Sequence, residues 1–171
     1  SFPAHRLRAE SRRTGMSGIT WRSVPFAALT TTELYDILQL RTEVFVMEQA
    51  GIYQDMDGAD HAAVHLLGTA DGGLVAYARC FPPGVKFAEA SIGRVITRQI
   101  LRGSGQGHEL MRQAIACVVE QWGAQPIRIG AQARLEKFYL QHGFAKAGDP
   151  YIEDGIPHVE MLRPLSFQEQ T

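Results

Sequence analysis

The chain has 171 residues, of which 45% are hydrophobic, and its formal net charge is −1 at pH 7. This length fits one domain with a sizeable core, and no apolar run approaches the roughly 18 residues that a membrane span needs. The first 15 residues carry four arginines against one glutamate, a net charge of +3, so the remainder carries −4. An acidic body argues against a nucleic-acid-binding surface, which would be basic.

The two ends of the chain are expected to lie outside the folded domain. Residues 1–17 have no hydrophobic periodicity and few apolar side chains, so we expect a disordered tail. Met16 fits a natural start site, and the Arg- and Ser-rich residues before it also fit an organelle transit peptide, an interpretation that we rank second. We expect one domain over residues 18–165 and a C-terminal tail over residues 166–171.

The first half of the domain is predicted to contain three strands and one long helix. Residues 19–24 indicate the first strand, and Thr30 with Glu33 forms a capping-box pattern at the start of the helix. After an acidic loop, two strands over residues 64–68 and 74–80 are joined by a hairpin signal, Asp71-Gly72-Gly73.

The second half alternates strands with helices. An apolar strand over residues 92–97 leads through a glycine-rich turn into a helix over residues 108–122. A buried strand over residues 126–132 leads into a helix over residues 133–144 that a glycine terminates. Closing strands lie near Phe144 and Val159. Strands outnumber helices and only some alternate with them, which predicts a mixed α/β sheet.

The glycine-rich turn predicts a phosphate site: Arg102-Gly103-Ser104-Gly105-Gln106-Gly107. Such a turn between a strand and a helix leaves backbone N–H groups pointing outward, and the positive end of the helix adds to them. Glycines also let a ligand approach the backbone without a Cβ in the way. We therefore expect this turn to hold the phosphate or pyrophosphate of a cofactor, with a plain structural turn as the alternative.

Two common phosphate-binding motifs do not fit this turn. A P-loop has a Lys and then Ser or Thr after its last glycine, and neither is present here. A dinucleotide-binding loop has Gly-x-Gly-x-x-Gly after the first strand of its unit, whereas this chain has Gly-x-Gly-x-Gly past its middle. What remains is Arg-x-x-Gly-x-Gly between a strand and a helix.

A second motif lies downstream, where Phe138-Tyr139 is followed by Gly143-Phe144. In this order, the two motifs resemble the GNAT superfamily of acyl-CoA-dependent N-acetyltransferases. Further segments resemble the ElaA-type branch of that superfamily, and the resemblance covers about residues 19–163. These segments are residues 40–49, 53–58, 75–79, 92–96 and 154–158.

The resemblance implies the acyl-CoA N-acyltransferase fold, with a mostly antiparallel central sheet that is splayed at the cofactor strand and flanked by helices. It implies that the glycine-rich turn cradles the pyrophosphate of acetyl-CoA. It also implies that the preceding strand pairs with the pantetheine arm through its backbone, with one N–H facing the thioester carbonyl. The cofactor-binding residues are then Val95, Ile96 and Thr97 in the strand and Arg102, Gly103, Ser104, Gly105, Gln106, Gly107 and His108 at the turn.

Acetyl transfer to an amine also requires groups that move protons. By resemblance, Tyr139 is the candidate general acid, because a phenol keeps its proton near neutral pH and can give it to a departing thiolate. A structural helix tyrosine is the alternative. The general base is open among Glu48, Glu89, Asp154 and His158. Because histidine changes charge near neutral pH, His158 is our candidate, with a structural histidine and a water chain as alternatives.

Six carboxylates are candidates for an acidic mouth that receives a cationic amine, with an ordinary solvated loop as the alternative: Glu48, Asp55, Asp57, Asp60, Glu153 and Asp154. Of these, Glu48 and Asp154 are our substrate-binding candidates. No metal site is expected, because His61 and His65 would be about 13 Å apart on a strand. Cys80 and Cys117 are expected to be buried thiols in a reducing compartment, which fits the cytoplasm.

These observations predict a single-domain enzyme that transfers an acetyl group from acetyl-CoA directly to an amine of a small molecule or peptide. The alternative is a non-catalytic acyl-CoA-binding sensor or subunit with the same fold. We expect no metal, nucleic acid or membrane among its partners, and a homodimer is one open oligomeric state. The identity of the amine and the acyl-chain preference do not follow from the sequence.

Overall fold

A mixed sheet of nine strands organises residues 10–14 and 18–165, the part of the chain that the computed structural model describes. The strands are β1 Ser11–Thr14, β2 Thr20–Pro25, β3 Val64–Ala70, β4 Gly73–Phe81, β5 Ala90–Thr97, β6 Ile127–Gln132, β7 Ala145–Lys146, β8 Tyr151–Glu153 and β9 Ile156–Arg163. Their order is β1-β2-β3-β4-β5-β6-β9-β7, with β8 paired to β9. The predicted mixed sheet is confirmed.

Three α-helices of the described residues flank this sheet: α1 Thr31–Arg41, α2 Gln106–Trp122 and α3 Glu136–Leu140. α1 begins with the predicted capping box, since Thr30 Oγ1 accepts from the Glu33 N–H at 3.0 Å and the Glu33 carboxylate accepts from the Thr30 N–H at 2.9 Å. It continues into a π-helix over Thr42–Glu48. None of the helices described here is long and apolar enough to cross a membrane.

The helix predicted over residues 133–144 is shorter than expected. A 3₁₀ turn over Ala133–Leu135 precedes α3, because Leu135 has φ −101° and ψ 7°, outside α-helical geometry. The predicted glycine terminator is confirmed: Gly143 has a φ of +86°, which glycine adopts without a Cβ clash. The hairpin prediction is also confirmed, with Asp71 and Gly72 both at positive φ between β3 and β4.

The sheet buries apolar side chains on both of its faces. On one face α2 packs through Leu110, Met111 and Val118, among others, against the strands. On the other face Ile37 and Leu40 of α1 lie in a smaller core. Both cysteines are buried and free, as the sequence predicted.

The sheet is open along one edge of β5. β5 and β6 are parallel, and their register comprises only two pairs, Ala90–Ile127 and Ser91–Arg128. Beyond Ser91 the two strands diverge, while β5 stays paired to β4 on its other side. The expected splay at the cofactor strand is therefore confirmed, and it positions the site.

The expectation of a disordered tail over residues 1–17 is wrong at residues 11–14. β1 pairs antiparallel with β2 over four residues, from Ser11–Ser23 to Thr14–Thr20. The segment lacks an apolar stripe, but backbone pairing and an ion pair between Arg13 and Glu120 hold it on the sheet edge. Residues 1–9 and 15–17, and the tail expected at 166–171, lie outside the described residues.

Candidate active site

A cleft of about 620 Å³ opens where β5 and β6 diverge. One wall consists of β4, β5 and the segment before β3, and the other of β6, α3 and the β8–β9 hairpin. Four of the predicted site residues line it together: Val95, Tyr139, Asp154 and His158. The fold therefore gathers residues that are far apart in sequence into one cavity.

The side chains of the cleft come from both faces of the sheet. Tyr77 lies in the core under α1, so Arg79, two positions along β4, points to the same face. Val159 lies in the core under α2, so His158 projects to the opposite face, the one that α1 covers. Tyr139 packs in the core under α2. The candidate acid and base thus approach the cleft from opposite faces.

The backbone of β5 is strained in the middle of the cleft. The register of β4 with β5 shifts between Tyr77 and Arg79, and Arg94 in this bulge has a φ of +49°. Such a conformation at a residue other than glycine costs about 1–3 kcal/mol and must be held by its surroundings. Arg94 Nε donates to Asp55 Oδ1 at 2.8 Å, and Arg94 Nη2 donates to the Asp55 carbonyl at 3.0 Å. The strained residue lies beside Val95, and both line the cleft.

The glycine-rich turn presents open backbone at the start of α2. Gly103 and Gly105 have φ of +83° and +82°, and a Cβ at either position would meet no atom within 4 Å. Gly105 is the N-cap of α2 and supplies no side-chain cap, unlike Thr30 at α1. The first N–H groups of a helix have no partner within it, so they can bind an anion. This geometry fits an anion such as a phosphate or pyrophosphate group.

The other turn residues shape this surface. Ser104 Oγ donates to the Leu101 carbonyl, and the His108 N–H donates to the Gly105 carbonyl at 3.2 Å. Gln106 is the first residue of α2. The turn is therefore closed by its own hydrogen bonds before any ligand is bound.

Arg102 of the turn is held by Glu48. Arg102 Nη2 donates to Glu48 Oε2 at 2.7 Å, and both side chains are partly exposed. Glu48 does not line the cleft with Asp154; it lies at the cofactor end instead. The structure therefore separates the two predicted substrate-binding residues and makes Glu48 a counter-ion of Arg102.

The three predicted residues of the cofactor strand differ in their surroundings. Val95 lines the cleft, whereas the Ile96 side chain is buried in the core under α1. Thr97 ends β5 opposite Ala76. The Arg98 N–H donates to the Val75 carbonyl at 2.8 Å, so the alternation of the antiparallel ladder directs the Ile96 backbone toward β4 and the Thr97 backbone toward the open edge.

Tyr139 is buried at the base of the cleft. Its side chain packs edge-on against Phe138 and Phe144, with ring centroids 5.1 and 5.9 Å away. Burial raises the pKa of Tyr139 to about 12, so the phenol keeps its proton at neutral pH. This is the state that a general acid requires.

The two sequence motifs meet in space. A Cβ at Gly107 would lie 3.6 Å from the Phe138 ring, and His108 Nδ1 lies 2.9 Å from His142 Nε2. The start of α2 therefore packs directly on α3, which carries Tyr139.

His158 has a defined tautomer. Its Nδ1 lies 2.7 Å from the Ile156 carbonyl, which can only accept a hydrogen bond, so Nδ1 carries the proton and Nε2 of the neutral ring is an acceptor. Glu153 Oε2 lies 3.7 Å from Nε2, and Tyr151 stacks on the ring at 5.6 Å. A histidine held in this way can take a proton at Nε2.

The other candidate bases are engaged or displaced. Glu89 Oε2 accepts from Arg128 Nε at 2.9 Å, and Glu48 is paired with Arg102. Asp154 lines the cleft but forms the β8–β9 turn, with a φ of +51°. His158, by contrast, lines the cleft with its ring oriented by the Ile156 carbonyl.

The acidic-mouth interpretation is wrong for Asp55, Asp57 and Asp60. Arg41 donates to Asp55 at 2.8 Å and to Asp60 at 2.7 Å, and Arg79 donates to Asp57 through two nitrogens at 2.8 Å each. Arg41 is fully buried and Arg79 is 2% exposed, so each arginine needs carboxylate partners. These aspartates fix the loop before β3 and do not face an incoming amine alone.

Sequence reasoning missed several cleft residues. Arg79 stands in the otherwise apolar β4, and a buried arginine there requires acidic partners, which is a signal that the sequence did offer. Tyr151 had no comparable signal: its hydroxyl would lie 2.7 Å from a Cβ at Gly130, so a glycine in β6 makes room for it. Lys86, which the sequence analysis did not single out, lines the same cleft, as does Glu153 of the predicted acidic mouth.

Comparison with known proteins agrees with this geometry. A family model for the acetyltransferase (GNAT) domain matches residues 31–164. Protein ElaA of Escherichia coli is 41% identical over 149 residues, which cover 86% of this chain and 97% of ElaA. The ElaA crystal structure has a TM-score of 0.79 and covers 85% of this chain and 99% of ElaA. A crystal structure of an acyl-CoA N-acyltransferase from Pseudomonas aeruginosa has 41% identity and a TM-score of 0.79, covering 84% of this chain and 98% of that one.

The splayed sheet and the uncapped glycine turn define an acyl-CoA N-acyltransferase fold. The chain belongs to the GNAT acetyltransferase family, and its similarity to ElaA extends over most of both chains. Members of this fold family typically bind acyl-CoA.

Proposed function

We propose that this protein is an N-acetyltransferase that transfers the acetyl group of acetyl-CoA directly to an amine. One observation carries the proposal: a protonated phenol, Tyr139, and a histidine with an accepting nitrogen, His158, line the same cleft from opposite faces of the sheet. Acid and base on either side of one reacting carbon are what acyl transfer to an amine requires.

The open edge of β5 supports a binding mode for coenzyme A. The backbone beyond Ser91 has no partner strand in β6, so the pantetheine arm can pair with it as a further strand would. The turn at Gly103 and Gly105 receives the pyrophosphate, and the Arg102 guanidinium adds a positive charge after releasing Glu48. Bound acetyl-CoA supplies the acetyl group as an activated thioester.

Two side chains of this protein move the protons. As the amine nitrogen bonds to the carbonyl carbon, His158 Nε2 takes the proton that the nitrogen loses. Glu153, at 3.7 Å, then stabilises the charged imidazole. As the carbon–sulfur bond breaks, Tyr139 gives its phenolic proton to the sulfur. Solvent afterwards removes the proton from His158 and returns one to Tyr139, so no proton is gained or lost.

A second function, a sensor or subunit that binds acyl-CoA without turnover, requires the same cofactor end but neither proton-moving group. The buried, protonated Tyr139 and the fixed tautomer of His158 favour the enzyme.

The test is release of free thiol from acetyl-CoA in the presence of a broad panel of primary amines, polyamines, amino acids and peptides, with the acetylated product identified by mass. We expect amine-dependent release by the wild type and none by the matched double variant Tyr139→Phe, His158→Gln. Thermal stabilisation by acetyl-CoA without release for any amine would instead support the sensor.

A further inference from the structure

We infer that the acceptor amine carries a carboxylate on the same small molecule, as an α-amino acid does. This inference rests on the proposed function, since it names the substrate class of the same cleft. It follows from the charges on the two walls of the cleft, which have opposite sign.

The wall formed by β4 and β5 has more positive than negative charge. Asp57 Oδ1 and Oδ2 each accept from Arg79 at 2.8 Å, Oδ2 also accepts from Lys86 Nζ at 2.9 Å, and Arg94 Nη2 lies 3.6 Å away. All four side chains line the cleft. Asp55 and Asp60 add two carboxylates, but the fully buried Arg41 pairs with both. Four cations therefore share three carboxylates in this part of the described chain.

Two of these four cationic side chains, Lys86 and Arg94, are exposed to the cleft. The Lys86 side chain is 35% exposed and that of Arg94 is 22% exposed, whereas Arg79 beneath them is buried. Arg79 Nε is a buried donor without a hydrogen-bond partner among the described residues. A carboxylate placed at Lys86 and Arg94 would complete the neutralisation of this cluster.

These cations lie away from the expected cofactor phosphates. Arg79 is opposite Gly93, in the first half of β5, whereas the glycine-rich turn follows the other end of that strand. From Gly93 to Thr97 the strand alone spans about 13 Å. The cluster is therefore available to the acceptor and not to the pyrophosphate.

The opposite wall carries negative charge beside the candidate base. Glu153 and Asp154 form the β8–β9 turn and line the cleft, and the Glu153 side chain is 59% exposed and lies near His158. An ammonium group is attracted here. It loses its first proton to solvent, and His158 Nε2 then takes the second proton as the neutral amine bonds to the carbonyl carbon. Arg79 and His158 project from the same face of the sheet and line the same cavity, so the positive and negative groups face one ligand space.

The experiment compares matched acceptors that differ only in the carboxylate. Leucine, leucinamide and 3-methylbutylamine form one set, and phenylalanine, phenylalaninamide and phenethylamine form another. Calorimetry measures their binding to the protein saturated with coenzyme A, and thiol release from acetyl-CoA measures kcat/KM. We expect at least one free acid to bind about tenfold more tightly than its amide and amine, the worth of one charge-assisted contact.

Two variants of Lys86 locate the carboxylate. Lys86→Met should bring the ratio of acid to amine binding close to one, and Lys86→Arg should retain most of it. The inference is overturned if the amines bind as tightly as the acids, if no member of either set binds, or if Lys86→Met leaves the ratio unchanged. Preferential binding of a free acid without thiol release would support the inference while contradicting the proposed acetyl transfer.

Discussion

The two ends of the cleft are built in different ways. The cofactor end comes from one continuous stretch, the end of β5 and the turn into α2, and it consists mostly of backbone. The acceptor end is assembled from side chains of β4, β5, β8, β9 and the loop before β3, held by ion pairs such as Arg79–Asp57. The difference suggests that the cofactor end is common to the fold, while the acceptor end determines which amine is used.

The largest expected effect concerns Tyr139, where the two ends meet. Tyr139→Phe should slow the acetyl-transfer step by about 10²–10⁴-fold, the usual worth of a placed acid, while coenzyme A affinity hardly changes. Single-turnover rapid quench with a good amine measures the step, and calorimetry with coenzyme A is the control. A wild-type rate in the Phe variant would leave Tyr139 with a structural role only.

One negative charge introduced at the cofactor end should weaken coenzyme A binding. Gly105→Asp should weaken coenzyme A binding by about 10²-fold relative to Gly105→Asn, because a carboxylate would face the pyrophosphate at the uncapped start of α2. Asp and Asn have nearly the same shape and both tolerate positive φ, so the pair isolates charge from backbone strain. Both should fold, since either residue is a good N-cap. Equal affinities in calorimetry would contradict the assignment of the turn.

At the acceptor end we expect the clearest effect of a substitution to be a loss of folding stability. Asp60→Asn removes a carboxylate that accepts from the buried Arg41 and Arg79, and breaking such a pair costs about 3 kcal/mol. Urea unfolding measures this loss, with Asp71→Asn in the exposed β3–β4 turn as the control substitution. An unchanged free energy of unfolding would show that the network is not structural.

The same network predicts acid sensitivity. Burial by itself would raise the pKa of Asp60, but hydrogen bonds from Arg41 and Arg79 hold it below its ordinary value of 3.8. A carboxyl with a lowered pKa in the folded state stabilises the fold above pH 3.8, and this contribution is lost as the pH falls through the folded-state pKa. The decline of stability in acid should therefore be shallower in Asp60→Asn than in the wild type.

The sequence predicted the local structure of the cofactor end, a glycine-rich turn between a strand and a helix, because the signals for it are local. A turn with Gly103 and Gly105, a helix after it and Phe138-Tyr139 downstream can each be recognised within a few residues. The acceptor end could not be predicted in this way, because the partners in its ion pairs, such as Asp55 and Arg94, are far apart in the chain. From the sequence alone these aspartates form an acidic loop, and only the fold shows that arginines pair with them.

The smallest expected effect comes from substituting Glu48, and it shows whether Glu48 belongs to the cofactor end or to the acceptor end. If Glu48 is the counter-ion of Arg102, Glu48→Gln frees the arginine and should raise coenzyme A affinity by about two- to fivefold, as expected for a partly exposed pair. If Glu48 binds the amine, as the sequence suggested, the variant should instead raise KM for the amine and leave coenzyme A affinity unchanged. Calorimetry and steady-state kinetics on the same variant separate these outcomes.

The central claim, that acyl-CoA lies in the opening between β5 and β6, is tested most directly by hydrogen–deuterium exchange with and without coenzyme A. We expect added protection at residues 93–97 and 103–107, where the pantetheine arm and the pyrophosphate bind, and little change in the β8–β9 hairpin until an acceptor is added. Protection that spares both of those stretches, for example one confined to the groove lined by Arg112 and Arg163, would contradict the account.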